Sequence, residues 1–324
     1  MGVKLKLLTI QKDVKVEDMR GKSFAVDANN ILHQFLASIR NRDGSLLRDS
    51  EGHVTSHLIG LLFRYTRLIA DYHVRLIFVF DGKPPKVKQQ EMKKRKQMRQ
   101  KARQEWREAL RKEQYTVARS KAMRSGRLTL PRLEDAKKLL NLLGIPCLQA
   151  PSEAEAQIAY MTRKGDTWAA NSRDYDTLLF GSPRLARYLK ASAQETKIIE
   201  LEETLTQHGI TRGQLVDIAI LMGTDYNPGV RGIGPKTGLK LIKEYGRIEK
   251  LPLDVYSEVT EQYKTLRQIF LKPEVTMNYS LSQKKLKEER VIHFLCDQRE
   301  LSRKRIENAV KKIKNEILNR RPTK

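Results

Sequence analysis

Apolar residues in the first part of the chain form short continuous runs that alternate with longer stretches at helical spacing. The runs at 23–26 and 75–80 are rich in strand-forming residues, and an aspartate follows each of them. Between them, 31–39 and 52–72 carry apolar residues at the spacing of a helix face. Continuous apolar strands separated by helices are typical of a mainly parallel sheet that is covered on both faces. The pattern therefore predicts an α/β fold with a central sheet between helices.

The same alternation continues to about residue 210 and then stops. An amphipathic helix is predicted at 130–146, where Gly144 and Pro146 end it, and another helix begins at Glu153. Short strands are predicted at 146–150, 167–170, 184–189 and 197–201. From Thr211 onward the pattern is helical.

Segment 83–127 differs from the rest of the chain in composition. It holds seventeen Lys or Arg against four Asp or Glu, a net charge of +13. Its few apolar residues recur every four positions, which predicts a helix with one narrow apolar stripe formed by Met98, Ala102, Trp106 and Leu110. Because the segment follows Asp81 at the end of a predicted strand, we expect it to hold an anion close to that acid. A solvated helical arm or a partly disordered basic insert is the alternative.

The whole chain is strongly basic. It has 324 residues, with 63 Lys or Arg against 38 Asp or Glu and a formal charge of +25. Such a charge indicates a polyanionic partner, either nucleic acid or an anionic membrane surface. No apolar run is long enough to span a membrane, and the basic segment lacks the broad apolar face of a membrane-surface helix. The N-terminus has no signal-peptide core, and Cys147 and Cys296 form no disulfide framework or zinc motif, so we expect an intracellular protein.

Seven acidic residues lie where predicted elements end: Asp27, Asp81, Glu153, Glu155, Asp174, Asp176 and Asp225. In open α/β sheets, ligands bind beyond the carboxyl ends of the strands. Oxygen ligands without His or Cys favour Mg²⁺ or Mn²⁺ over zinc. Two such ions about 4 Å apart activate water and stabilise the leaving oxygen when a phosphodiester is hydrolysed. We therefore expect the seven acids to converge on divalent metal ions.

Structural explanations compete with this hypothesis. The acids at strand ends also fit turn or helix-cap roles, and Asp225 can simply begin the turn after a helix. Ser152 and Glu155 match a capping box, which leaves Glu153 unexplained. The acids at 174 and 176 fit an Asx-turn, although two carboxylates so close repel each other unless a cation lies between them.

A glycine-rich segment at 229–246 is the second specific signal. Gly232, Gly234 and Pro235 predict a tight turn, and Lys236 begins an amphipathic helix. Free backbone N–H groups at a helix start bind phosphate, so we expect contact with a DNA backbone, which positions a duplex without reading its sequence. A purely structural hairpin between two helices is the alternative.

Six motifs together resemble the flap endonucleases of the XPG superfamily. They are VDANN at 26–30, VFDGKPPKVK at 79–88, APSEAEA at 150–156, RDYDTLLFG at 173–181, GTDY at 223–226 and RGIGPKTGLKLI at 231–242. Their order and spacing agree with that family from residue 1 to about residue 312. The resemblance implies a PIN-like 5′-nuclease fold and a metal-dependent endonuclease that cuts DNA at the base of a 5′ flap. It also implies a role in DNA replication, in Okazaki fragment maturation, and in repair, with 5′→3′ exonuclease activity besides.

The resemblance also implies residue roles. Two Mg²⁺ ions per subunit, replaceable by Mn²⁺, would be bound by the seven acids: Asp27, Asp81, Glu153 and Glu155 around one, and Asp174, Asp176 and Asp225 around the other. Lys88 and Arg95 would be catalytic residues that contact the scissile phosphate. The expected DNA contacts, with K⁺ at a helix-hairpin-helix element, are Gly2, His33, Arg231, Gly232, Gly234, Lys236 and Thr237. His33 stands where many members carry a stacking aromatic, and an imidazole can also stack on a base.

The implied organisation is a single nuclease domain at 1–324. Its parts are an N-terminal nuclease region at 1–98, a basic helical arch at 83–127, an internal nuclease region at 141–213, a helix-hairpin-helix region at 214–250 and a C-terminal helical segment at 251–324.

The expected partner is branched duplex DNA with a 5′ flap, bound by a monomer and without a membrane. Many members end in a peptide that binds the sliding clamp. This sequence ends in KNEILNRRPTK without that peptide, so either it is trimmed or a clamp is bound differently. Its length resembles archaeal members, which implies the cytoplasm or nucleoid, whereas a eukaryotic member would be nuclear.

Two alternatives to a flap endonuclease stay open at this point. One is a related 5′→3′ exonuclease or a nuclease for bubbles or four-way junctions. The other is a DNA-binding scaffold without catalysis, in which the acids only cap helices.

Overall fold

A computed structural model describes residues 3–189 and 195–319. In this part of the chain, seven strands form one sheet in the order β1-β7-β6-β5-β2-β3-β4. The strands are β1 (Lys12–Lys15), β2 (Ser23–Asp27), β3 (Arg75–Phe80), β4 (Cys147–Gln149), β5 (Ala169–Asn171), β6 (Arg184–Arg187) and β7 (Glu195–Glu200). Strands β2 to β6 run parallel, whereas β7 pairs antiparallel with β6 and β1. The predicted α/β fold with a mainly parallel sheet is confirmed.

The helices of the N-terminal half are α1 (Ala28–Ser38), α2 (Ser56–Tyr72), α3 (Gln89–Arg111), α4 (Tyr115–Ser125), α5 (Leu130–Leu142), α6 (Ala154–Arg163) and α7 (Asp176–Leu179). Those of the C-terminal half are α8 (Leu201–His208), α9 (Arg212–Met222), α10 (Pro235–Tyr245), α11 (Leu253–Tyr256), α12 (Tyr263–Leu271), α13 (Glu288–Ile292) and α14 (Arg303–Asn319). None of the helices in the described ranges is long and apolar enough to cross a membrane.

The sheet separates two apolar cores because successive strand residues point to opposite faces. In β3, Phe78 and Phe80 pack into the core beneath α1, α2, α5 and α14. Ile77 and Val79 pack into the opposite core, which α6, α7, α8, α9 and α12 cover. All four of these side chains are buried, which explains the continuous apolar run that predicted the strand.

Several element boundaries differ from the predictions. The helix predicted from residue 52 begins at Ser56, and the helix predicted to reach residue 146 ends at Leu142, before a left-handed Gly144. Strand β1 was not predicted, since its alternating charged residues leave only one partly buried position.

The basic segment forms an antiparallel pair of helices, α3 and α4, that packs against α1. The predicted apolar stripe is only partly correct. Ala102 is buried, but Met98 is 49% exposed, and the other buried apolar residues of α3 and α4 are the small Ala109, Ala118 and Ala122. Small side chains let the two helices approach closely, so alanines rather than large apolar residues mark the buried side.

Candidate active site at the carboxyl edge of the sheet

Six of the seven predicted acids follow the carboxyl ends of four neighbouring parallel strands. In strand order they are Asp174 and Asp176 after β5, Asp27 at the end of β2, Asp81 after β3, and Glu153 and Glu155 after β4. Adjacent parallel strands end at one edge of a sheet, so the topology brings these side chains together. The seventh, Asp225, reaches the same edge from the turn after α9. We call these seven residues the acid cluster.

Asp27 and Asp81 each serve as a helix cap and as a member of the acid cluster. Asp27 begins α1, and its Oδ1 accepts the Asn30 N–H at 2.9 Å while its Oδ2 accepts the Ser172 hydroxyl at 3.2 Å. Asp81 Oδ1 accepts the Ala154 N–H at the start of α6, at 2.9 Å. The cap explanation and the cluster explanation are therefore compatible for both residues.

A close backbone crossing holds Asp81 beside Glu153. Gly82 N–H donates to the Ser152 carbonyl at 2.6 Å. A Cβ at position 82 would lie 2.1 Å from the Ala150 carbonyl oxygen, so no other residue fits without moving the backbone. The glycine after Asp81 is thus required for two strand ends to meet.

The capping box expected from Ser152 and Glu155 does not form. The N-cap residue of helix α6 is Glu153, and its own side chain makes no cap hydrogen bond. Glu155 lies in the first turn of α6 and is partly buried. The charges of Asp27 and Asp81 act on its carboxyl group, so its side chain is directed to the acid cluster. The structural alternative for Glu155 is therefore wrong.

Asp174 and Asp176 are held by bonds from distant segments. Asp174 Oδ2 accepts the Asn30 side-chain amide at 2.8 Å, and Asp176 Oδ1 accepts the Val3 N–H at 2.8 Å. Asp176 is the first residue of α7 rather than part of an extended loop. Gly2 lies outside the described residues, but the bond from Val3 brings the described N-terminus to the acid cluster.

Crowding and burial perturb the carboxyl groups of the acid cluster. Burial, followed by the charge of Asp81, raises the pKa of Asp27 well above its ordinary value. Burial also raises the pKa of Glu155, with Asp27 and Asp81 adding to the effect. For Asp176, burial and then the charges of Asp225 and Asp174 raise the pKa to about 7. Like charges that sit this close favour protonation or a bound cation.

Two cations from the start of the basic segment point into the acid cluster. Lys88 pairs with Glu153, and its Nζ lies 3.8 Å from Asp225 Oδ2. Arg95 lies seven residues, about two helical turns, further along. It pairs with Asp225 at 2.5 Å and with Glu91 at 3.2 Å. Burial alone would lower the pKa of Lys88, but the charges of Glu153 and Glu155 outweigh it and raise that pKa. Both predicted catalytic cations thus lie at the acid cluster.

Two polar residues at the acid cluster were not assigned from the sequence. The Tyr226 hydroxyl donates to Glu153 Oε2, and the Asn30 amide that bonds Asp174 also accepts from Gln34 at 2.9 Å. Both lie inside motifs named above: Tyr226 directly follows Asp225, and Asn30 lies three residues after Asp27. Their role was missed because it depends on contacts between residues 73 and 144 positions apart.

The acid cluster fits hard divalent cations by its chemistry. Its donors are carboxylate oxygens, which suit Mg²⁺ and Mn²⁺, and their raised pKa values mark a place where positive charge lowers the free energy. As the side chains are oriented, no three acidic, His or Cys residues among those described surround one point closely enough to hold an ion. Lys88 and Arg95 provide the neutralising charge in this arrangement.

His33 lies on α1 and is exposed, and the charges of Arg95 and Arg99 of α3 act on it. Desolvation by surrounding groups, followed by the charges of Arg99 and Arg95, lowers its pKa to about 4, so the imidazole is neutral at pH 7. A neutral aromatic ring is thus placed near the basic side chains of α3.

The glycine-rich turn lies apart from the acid cluster and leads into α10. Gly232 has φ +81 and open space where a Cβ would lie, and the N-cap residue of α10 is Gly234, which provides no side-chain cap. Arg231, Lys236 and Thr237 are exposed beside this helix start. The open N–H groups form the kind of surface that binds a phosphate.

Comparison with known proteins defines the class. The XPG N-terminal domain matches residues 1–102, and the XPG I-region matches residues 144–225. These two regions contain all seven members of the acid cluster, and the chain is accordingly an XPG-type nuclease.

Individual relatives narrow the class further. Flap endonuclease 1 of Methanothermobacter thermautotrophicus is 46% identical over 97% of this chain and 96% of its own length, and that of Pyrococcus abyssi is 43% identical over 98% and 95%. The solved structure of flap endonuclease-1 from Methanococcus jannaschii superposes with a TM-score of 0.81 at 42% identity, covering 98% of this chain and 99% of that one. The chain belongs to the flap endonuclease 1 family, and the predicted class of enzyme, a metal-dependent nuclease, is confirmed.

Proposed function

We propose that this protein hydrolyses a DNA phosphodiester at the base of a 5′ flap during replication and repair. The observation that carries the proposal is the acid cluster at the sheet edge, with Lys88 and Arg95 directed into it from the basic helices. The relatives, which bear the name flap endonuclease 1, support the flap as the substrate.

The seven acids would hold two Mg²⁺ ions, with Mn²⁺ as a substitute. Bound divalent ions supply a low-pKa water and Lewis acidity toward the phosphodiester oxygens. The acids contribute the oxygen ligands, and their mutual repulsion makes the pocket favour a cation over an empty state.

Lys88 and Arg95 act on the phosphate. Both side chains now pair with carboxylates of the acid cluster. Once other positive charge neutralises those carboxylates, the two cations are free to bind the non-bridging oxygens of the scissile phosphate. Their partly buried positions strengthen that interaction and stabilise the charge that develops in the transition state.

The reaction is a hydrolysis without a covalent enzyme intermediate. A water oxygen forms a bond to phosphorus while the bond from phosphorus to O3′ breaks, and the O3′ leaving group takes up a proton. The products are a 5′-phosphate and a 3′-hydroxyl. His33, being neutral, is proposed to stack on a base beside the scissile phosphate.

The remaining basic surface positions the DNA. We propose that the single strand passes beneath the arch at 83–127, and that Arg231, Gly232, Gly234, Lys236 and Thr237 contact the duplex backbone, with K⁺ at the turn. Gly2 is proposed to lie near the DNA because the adjacent Val3 bonds Asp176. The protein would act as a monomer with the regional division given above.

Cleavage of a set of labelled DNA substrates tests the proposal. A 5′-flapped duplex, a bubble and a four-way junction are incubated with MgCl₂ or EDTA, and the products are mapped. We expect cutting at the flap junction only with MgCl₂, and a loss of more than about 100-fold for Asp174→Ala and Asp225→Ala. Asp13→Ala, which changes an exposed acid paired with Lys197, is the control and should cut like the parent.

Three results would contradict the proposal. Asp174→Ala or Asp225→Ala cutting at the parental rate would remove the acid cluster from the chemistry. A preference for bubbles or four-way junctions would show a different specificity. DNA binding that depends on salt, with no product under any condition, would indicate a scaffold.

A further inference from the structure

Tyr226 connects the acid cluster to the helical region that carries the glycine-rich turn. It follows Asp225 in the turn between α9 and α10 and is 9% exposed. Its hydroxyl donates to Glu153 Oε2, while Glu153 Oε1 accepts from Lys88. Both oxygens of Glu153 therefore have a fixed partner.

The ring of Tyr226 is held by two neighbours. It packs edge-on against Phe270 of α12, with centroids 5.4 Å apart and planes at 71°, and Phe270 packs in turn on Phe180 at 5.1 Å. Lys88 Nζ lies over the ring, 5.6 Å from its centroid. Phe270 and Phe180 are fully buried, so the ring has little room to move.

The backbone of the turn is equally constrained. The Tyr226 N–H donates to Thr224 Oγ1 at 3.0 Å, and Asn227 ties the turn to the end of α9 through Ile220 at 2.8 Å. Gly223, with φ +96, permits the sharp exit from α9. The hydroxyl is thus presented to Glu153 by a rigid frame rather than by a flexible side chain.

The Tyr226 hydroxyl and the Lys88 ammonium group both donate to Glu153, but they differ in charge. The hydroxyl donates a hydrogen bond to Glu153 without adding positive charge, so it does not compete electrostatically with a bound cation. It also fixes the plane of the carboxylate and thereby the direction of Oε1, which now pairs with Lys88 and would face a cation once Lys88 leaves it.

We propose that Tyr226 is a positioning residue that orients Glu153 for metal binding and holds Lys88 over its ring. The inference rests on the metal site of the proposed function. Groups that orient metal ligands in this way are worth about 10- to 100-fold in metal affinity or activity.

The chain offers a closely matched control at Tyr279. Its hydroxyl also donates to a carboxylate, that of Asp166, its ring is edge-on to Tyr160 at 6.5 Å, and Lys164 Nζ lies 5.4 Å above the ring. This arrangement repeats the contacts of Tyr226 outside the acid cluster. Removing the hydroxyl at either position leaves the ring and its packing in place.

The test compares Tyr226→Phe with Tyr279→Phe and the parent. We expect Tyr226→Phe to lower the single-turnover cleavage rate at saturating flap DNA about 10- to 100-fold and to weaken Mg²⁺ binding, measured by calorimetry without DNA, by about tenfold. Raising MgCl₂ should restore part of the rate. DNA affinity in EDTA should stay within about twofold, and both variants should melt close to the same temperature.

Tyr226→Phe matching Tyr279→Phe in rate and Mg²⁺ affinity would overturn the inference. A loss of rate that MgCl₂ does not relieve, with Mg²⁺ affinity unchanged, would also overturn it, since that pattern indicates a structural role only. Asp225→Ala in the same experiment separates the two proposals. If Asp225→Ala is inactive while Tyr226→Phe behaves like the parent, only the positioning role of Tyr226 is refuted. If Asp225→Ala is fully active, the metal site itself is refuted.

Discussion

Replacing Asp176 by asparagine should stabilise the protein in the absence of metal while abolishing its activity. Asp176 is buried, and burial with the charges of Asp225 and Asp174 raises its pKa from 3.8 to about 7. One pKa unit corresponds to about 1.4 kcal/mol, so the ionised side chain costs the folded protein about 4 kcal/mol at pH 8. Asparagine removes the charge and keeps an oxygen that can accept the Val3 N–H.

The pH dependence follows from the direction of the shift. Between about pH 4 and pH 7 the native carboxyl keeps a proton that the unfolded chain has already released, so the free energy of unfolding falls as pH rises through this window and is level above it. The advantage of Asp176→Asn should therefore be small at acidic pH and largest at pH 8.

Urea unfolding in EDTA measures this effect. We expect Asp176→Asn to raise the free energy of unfolding by about 2 to 4 kcal/mol at pH 8 and by about 1 to 2 kcal/mol at pH 5. The control Asp13→Asn removes an exposed ion pair and should change it by less than about 1 kcal/mol at both values. Lower stability of Asp176→Asn at pH 8, or an equal gain at both pH values, would refute the account of repelling carboxylates.

Three further predictions concern the surrounding structure. Trp106 Nε1 donates to the Asp43 carbonyl at 3.0 Å, so Trp106→Ala should loosen helices α3 and α4 and speed limited proteolysis within 83–127 several-fold. Unchanged proteolysis would argue against this anchor. Arg267→Met leaves the buried Asp217 without its cation and should lower the free energy of unfolding in urea by about 3 to 5 kcal/mol. Adding Asp217→Leu to the same chain should restore most of this loss. No recovery would contradict the ion-pair explanation. Burial, with the charge of Arg132, lowers the pKa of the fully buried His57 to about 3. The free energy of unfolding should therefore fall by up to about 1.4 kcal/mol for each pH unit below pH 6.5. If His57→Gln shows the same dependence of the unfolding free energy on pH, this residue is excluded as the cause.

The sheet and the acids at its edge were predictable because local pattern and topology agree there. The runs that form β2 and β3 are apolar on both faces, and an aspartate ends each run. Parallel neighbours end at one edge, so the grouping of these two acids required only the correct strand order. Asp225 was included because it follows an apolar helical segment, but its approach to this edge depends on how α9 packs and not on any local pattern.

Other features could not be predicted because they depend on distant partners. Strand β1 has no apolar run and exists through its pairing with β7, whose partner residues lie 180 to 186 positions away. The contacts of Tyr226 with Glu153 and of Asn30 with Asp174 arise only when different strand ends meet. Ser152 matched a capping box locally, but the crossing at Gly82 fixes the segment before α6 and the cap falls at Glu153.

Anomalous scattering from crystals soaked in MnCl₂ would test the central claim most directly. Manganese serves as a probe for magnesium because both prefer oxygen ligands. The account predicts two strong peaks among the carboxylates of Asp27, Asp81, Glu153, Glu155, Asp174, Asp176 and Asp225, with Lys88 and Arg95 released from their carboxylate partners. Absence of peaks there, or peaks only at other acids of the surface, would contradict it.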